Sequence, residues 1–181
     1  MRTAEEIERT KDDLKTALFE LMKKKDYQSI TMSEIAQRAG YGRATLYRHF
    51  QSKEEIIKFY FEKNNIIFQE VHDISFKNND DFYKIIFRVF STLKNNKDII
   101  KLLIAAHLEF MYLEFMNNTL VANFRKNKYE TSKYAPYYFM GSLFNVSMQW
   151  VMNDCSEPVQ QLADFYYSHM FSLKVDLKEN L

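Results

Sequence analysis

Two of the three glycines in this chain, Gly40 and Gly42, stand two residues apart inside the stretch TMSEIAQRAGYGRATLYRHFQSK, from Thr31 to Lys53. Thr31 lies three residues before Glu34, the spacing of a capping box in which each side chain satisfies a backbone N–H of the other residue. Met32, Ile35, Ala36 and Ala39 then recur with helical period, and Gly40 follows where a helix end needs a residue that tolerates positive φ. A second short helix is expected from about Gly42 or Arg43, burying Leu46 and Phe50 one turn apart. Two short helices joined by a glycine-containing turn make a helix-turn-helix. The second helix is left presenting Arg43, Thr45, Tyr47, Arg48 and His49. Cations, a hydroxyl and aromatic groups suit phosphate oxygens and base edges in a DNA major groove.

The same residues resemble the amino-terminal domain of the TetR family of bacterial transcriptional regulators, in the pattern IA..AG.....LY.HF.SKE.L. Here it reads Ile35, Ala36, Ala39, Gly40, Leu46, Tyr47, His49, Phe50, Ser52, Lys53 and Glu54, with Ile56 at the last apolar position. The resemblance implies DNA contacts from Thr31, Arg43, Thr45, Tyr47, His49 and Lys53. With Arg48 from the helix face and with Gly42 and Ala44 at the helix start, these are the candidate DNA-binding residues. The family often has a hydroxyl residue where this chain has Gly42, and a small apolar residue where it has Tyr41.

Composition sets the fold class. Three Gly and two Pro among 181 residues leave few breakers, so the chain is expected to be all-α. Its length suffices for one large domain or two small ones. No apolar run approaches the roughly 18 residues that cross a bilayer, and the amino terminus is charged, so neither a membrane span nor a signal peptide is expected. The single Cys155 excludes an intrachain disulfide and fits a reducing cytoplasm. Formal net charge is only +1, so DNA binding has to rest on a local patch. From Gln37 to Lys58 the cations Arg38, Arg43, Arg48, Lys53 and Lys58 face only Glu54 and Glu55.

In chain order, Thr3 to Lys25 reads as a first helix, with Tyr27 and Ile30 tucked under a small three-helix core. Ser52 and Glu55 have capping-box spacing and open a long helix expected to run to about Val71. The expected domains are therefore 1–51, a helix-turn-helix domain, and 52–181, a helical regulatory and dimerisation domain, joined without a Pro/Gly/Ser linker. Asparagine pairs at 78–79, 95–96 and 117–118 are expected to punctuate helices. Between the first two, Phe82, Ile85, Ile86, Val89, Phe90 and Leu93 form a helical stripe. The helix break between Ile99 and Tyr129 is left open. Tyr134 to Asn153 reads as a helix with Pro136 in its first turn, and Ser156 is expected to cap a last helix whose first turn holds Pro158.

Those last two helices carry more large apolar groups than one face needs, so a second copy of the chain is an expected partner. The resemblance implies a four-helix bundle between two such pairs, with Phe144, Trp150, Val151, Leu162, Phe165, Tyr166, His169, Met170 and Leu173 as candidate interface residues. Aromatic and Met residues between about Ile66 and Trp150 suit an adaptable pocket for a small apolar or aromatic inducer. Phe68, Phe90, Leu103, His107, Phe110, Met111 and Phe144 are its candidates, although the same residues could simply fill a core, and His107 could be an ordinary core histidine. No His pair stands at metal-ligand spacing, no phosphate loop or nucleophile motif appears, and Cys155 has no cationic neighbour in sequence. Neither a metal, a cofactor nor enzymatic activity is expected. The expected function is a dimeric repressor on a pseudo-palindromic double-stranded DNA operator. The alternative is a TetR-like coactivator that binds a protein partner and no longer binds DNA.

Overall fold

The computed structural model describes residues 3–64, 79–127 and 133–172. Among them there are nine helices and no strand: α1 Ala4–Met22, α2 Met32–Arg38, α3 Arg43–His49, α4 Lys53–Asn64, α5 Asn79–Asn95, α6 Lys97–Ala105, α7 Glu109–Asn127, α8 Ala135–Met152 and α9 Val159–Ser172. One 3-10 turn, Tyr27–Ser29, follows α1. The expected continuation of α4 toward Val71 lies outside the described residues.

Local chemistry explains where most helices start and stop. Thr3 and Thr31 each close a full capping box, with Glu6 and Glu34. At Ser52 only half a box forms: the Ser52 Oγ accepts from the Glu55 N–H at 3.4 Å, while the Glu55 carboxylate accepts from the Gln51 N–H at 2.7 Å. Three helices end alike. After α2, Gly40 has φ 78° and the Tyr41 N–H donates back to the Ala36 carbonyl at 2.8 Å. After α6, His107 has φ 56° and the Leu108 N–H donates to the Leu103 carbonyl at 2.9 Å. After α8, Asp154 and Cys155 have φ 58° and 53°, and the Cys155 N–H donates to the Trp150 carbonyl at 2.9 Å. Each is a Schellman ending, which satisfies carbonyls that the last helical turn leaves without partners.

Two expectations about boundaries are corrected, and one that was left open is filled in. Asn95-Asn96 does mark a break, the Asn96 carbonyl accepting from the Ile99 and Ile100 N–H groups at 3.0 and 3.1 Å. Asn117-Asn118 does not; it lies within α7, since the small helix penalty of asparagine is readily overridden by packing. The break in that region falls at His107, which terminates α6 and is exposed. Ser156 does not cap α9: its hydroxyl donates to Glu157, and the helix begins at Val159, after Pro158.

The described residues fall into two compact units. The first comprises 3–64 and 102–109. Its core gathers Leu14, Leu18, Ile35, Leu46, Ile56 and Ile57, all fully buried, with Tyr27 and Ile30 buried as the sequence leads one to expect. Phe19 meets Tyr60 edge-on, with ring centroids 5.0 Å apart. In the second unit, α5 packs on α9 and α8. The whole α5 stripe is buried, and Phe90 stands edge-on to both Trp150, at 5.6 Å, and Tyr166, at 6.2 Å. Among the described residues no helix is long and apolar enough to cross a membrane.

Candidate nucleic-acid interface

The candidate interface is built from α2, α3 and the first turn of α4. Leu46, with no exposed surface, and Phe50, at 3%, anchor α3 in the first unit's core. That fixes which face turns outward: Arg43, Ala44, Tyr47 and Arg48 are exposed, Thr45 and His49 half-buried. Gly42 is the N-cap of α3 and contributes no side-chain cap. Tyr41, large for its position, donates its hydroxyl to Asp13 at 2.7 Å and so ties the turn to α1.

The cations of this patch are not equivalent. Arg38 is paired with Glu20, its Nε 2.6 Å from the carboxylate. Lys25 is paired with Glu34 at 2.6 Å. Among the described residues no ion pair engages Arg43 or Arg48, and both are exposed. Lys53 is held internally: its ammonium donates to the Tyr27 carbonyl at 2.7 Å and lies 4.2 Å from the centre of the Tyr27 ring. Neither the Arg38–Glu20 pair nor the Lys53–Tyr27 contact has a signal in local spacing, and Tyr27 was not among the sequence candidates.

Thr31 is also engaged. Its N–H and hydroxyl both donate to one Glu34 oxygen, each at 2.8 Å. Hydrogen bonds from Lys25, then from Thr31, hold the Glu34 carboxyl down at about 2, against an ordinary 4.5. A carboxylate whose folded value is depressed stabilises the fold above its unfolded pKa and loses that contribution as pH falls toward the folded one. Acidification from about 4.5 to about 2 is therefore expected to fray the start of α2. In Lys25→Met the Glu34 carboxyl should titrate closer to its ordinary value; an unchanged NMR titration midpoint would show that Lys25 is not the cause.

The residues expected to form a pocket or an interface are distributed as follows. Leu103 and His107 belong to the first unit, Phe90, Phe110, Met111 and Phe144 to the second. Phe90 and Leu103 are buried, Met111 is half-buried, and Phe110 is 66% exposed, its ring 6.1 Å from that of buried Phe144. Of the expected interface residues, Phe144, Trp150, Val151 and Tyr166 are buried within the second unit's own core. Leu162 is half-buried, and Phe165 and His169 are exposed. The α8 face that stays exposed carries Tyr134, Tyr137, Tyr138 and Met152, none of which the apolar spacing singled out. Between α8 and α9 runs an open groove of about 370 Å³, lined by residues that include Val146, Gln149, Trp150 and Leu162. Phe68, Leu173 and the side chain of Met170 lie outside the described residues. Cys155 is corrected: it is buried, burial raises its thiol pKa, and Lys97, Lys94 and Lys101 act on it from across the fold to lower it.

Residues 15–58 match the family described as bacterial regulatory proteins, tetR family. No curated protein sequence matches the chain. Among solved structures, Lin0861 from Listeria innocua is similar with a TM-score of 0.77 at 16% identity, over 96% of each chain. The TetR transcriptional regulator from Streptococcus agalactiae 2603V is similar at 0.64 and 20% identity, over 91% of this chain and 95% of that one. The regulator FadR from Bacillus subtilis, solved in complex with stearoyl-CoA, is similar at 0.54 and 19% identity, over 86% and 95%. At these identities the likeness is one of fold. Residues 15–58 thus match the helix-turn-helix domain of the tetR family of bacterial regulatory proteins, and the chain shares its all-helical fold with a regulator of that name.

Proposed function

We propose that the chain is a sequence-specific DNA-binding transcriptional regulator, acting in the cytoplasm as a dimeric repressor that a small apolar or aromatic ligand releases from a pseudo-palindromic operator. The observation that carries this reading is the outer face of α3, where Arg43 and Arg48 stand exposed beside Tyr47, with no ion pair among the described residues. An exposed arginine at the start of a helix anchored from behind, with a second in its last turn, suits major-groove readout and backbone contact. In this reading residues 1–51 bind DNA and 52–181 regulate and dimerise. Leu162, Phe165 and His169, with the exposed tyrosines of α8, face the second copy, and the half-site centres lie about one DNA turn apart, ~34 Å, or a multiple of it.

An apolar ligand is supported by the aromatic content of the second unit and by the stearoyl-CoA bound to a regulator of the same fold. The ligand acts only through its differential affinity for the two arrangements of the protein, typically about 1–3 kcal/mol, and operator DNA must weaken ligand binding by the same factor. A duplex enriched by the protein from a random-sequence pool should bind with an affinity that falls log-linearly with salt, as a dimer in sedimentation. If no duplex shifts at low salt, the proposal is wrong. A monomer that still binds DNA would overturn the dimer alone.

A further inference from the structure

Lys53 and Glu54 are neighbours in sequence with opposite charges, yet the ammonium is engaged elsewhere. Both side chains meet Tyr27, each at a different part of the residue. The Lys53 ammonium donates to the Tyr27 carbonyl at 2.7 Å and sits over its ring face at 4.2 Å. The Tyr27 hydroxyl, at the far end of that ring, donates to a Glu54 carboxylate oxygen at 2.6 Å. Tyr27 itself is 4% exposed, so the core fixes its position. Burial pushes the Glu54 carboxyl up, but the hydrogen bonds led by the Tyr27 hydroxyl, with a smaller pull from the Lys53 charge, bring it below its ordinary value, so it stays charged at neutral pH without an ion pair to Lys53 among the described residues. Burial and the Glu54 contact together push the Tyr27 phenol up, so the hydroxyl remains a donor.

An ammonium has three donors, and one carbonyl uses only one of them. Lys53 is thus immobilised at the start of α4 with donors to spare, whereas a free Glu54 carboxylate beside it would quench its charge and repel a phosphate. We infer that Tyr27 is a positioning residue for DNA-backbone binding, holding the Glu54 carboxylate apart from the Lys53 ammonium so that the cation stays available to a phosphate. The same residue opens the 3-10 turn that leads along the chain into Thr31, the N-cap of α2. The inference rests on the DNA-binding reading.

The test is the salt dependence of binding to a fluorescent duplex enriched by the wild-type protein, because each phosphate contact changes the log–log slope by about one. Lys53→Met should make the slope shallower by that amount. Tyr27→Phe, which keeps the ring and the carbonyl and removes only the hydroxyl, should do the same by releasing Glu54. Adding Glu54→Gln to Tyr27→Phe should restore the wild-type slope, a rescue that a merely structural role for Tyr27 does not predict. An unchanged slope in Tyr27→Phe, or a loss that Glu54→Gln fails to rescue, would overturn the proposal. Slopes are read below the melting temperature of each variant, so that an early-melting Tyr27→Phe is still scored; an unchanged slope in Lys53→Met means that Lys53 touches no phosphate, and the proposal fails while DNA binding stands. A wild type that binds no duplex defeats the DNA-binding reading itself and this inference with it.

Discussion

Replacing Arg43 by alanine is expected to weaken binding to the selected duplex by about 1–3 kcal/mol and to relax its base preference at one position of each half-site. Arg43 is the first residue of α3, exposed, and without an ion pair among the described residues. Gly42 before it has no Cβ, and nothing lies within 4 Å of the place where one would be, so the helix start offers little steric bar to a close approach by DNA. A guanidinium aimed into the groove can make a bidentate contact to guanine, which a lysine cannot copy. Arg38 is the internal control. It belongs to the same basic stretch, but Glu20 already holds it at 2.6 Å, so Arg38→Ala should leave base preference untouched. Binding titrations against the selected duplex and its single-position variants check both. If Arg43→Ala keeps both affinity and preference, α3 does not read the groove through this residue.

Phe90→Ala is expected to cost the second unit about 3–5 kcal/mol, the range for deleting a buried aromatic side chain from a packed core. Phe90 has no exposed surface and stands edge-on between Trp150 and Tyr166. Such ring pairs add to what burial alone contributes, and the Tyr166 hydroxyl is itself fixed, 2.7 Å from Ser142 Oγ and 3.1 Å from the Phe139 carbonyl. Trp150 is the chain's single tryptophan, so its fluorescence during denaturant unfolding reports on the region where the cavity opens. The result also separates two roles for Phe90. As core, its removal brings the full loss. As the wall of an already open pocket, it has less packing to lose, and a cost below about 1.5 kcal/mol would favour that role.

The features legible in the sequence were those whose physics acts within one helical turn. The capping box of Thr31 and Glu34, the left-handed Gly40, the burial of Leu46 and Phe50 on one face of α3, and the α5 stripe from Phe82 to Leu93 all depend on groups three to five residues apart, and spacing encodes them directly. The all-α class followed from the same source, since few glycines and prolines interrupt those periods. Where helix ends used residues with no strong local preference, the reading stopped. His107 and Asp154 adopt the conformation that Gly40 adopts, at a cost that only the surrounding packing can offset. The face of a helix that meets its own core is likewise a tertiary decision. Trp150, Val151 and Tyr166 turned inward while Phe165 stayed out, although all four look equally apolar along the chain. The same holds for charge. Arg38 and Arg43 are alike in sequence, but Glu20, eighteen residues before Arg38, engages only one of them. Tyr27 takes hold of Lys53 from twenty-six residues away. A chain fixes its helices by short-range hydrogen bonding and periodicity, but which cations are paired, positioned or left exposed depends on partners that only folding brings within reach.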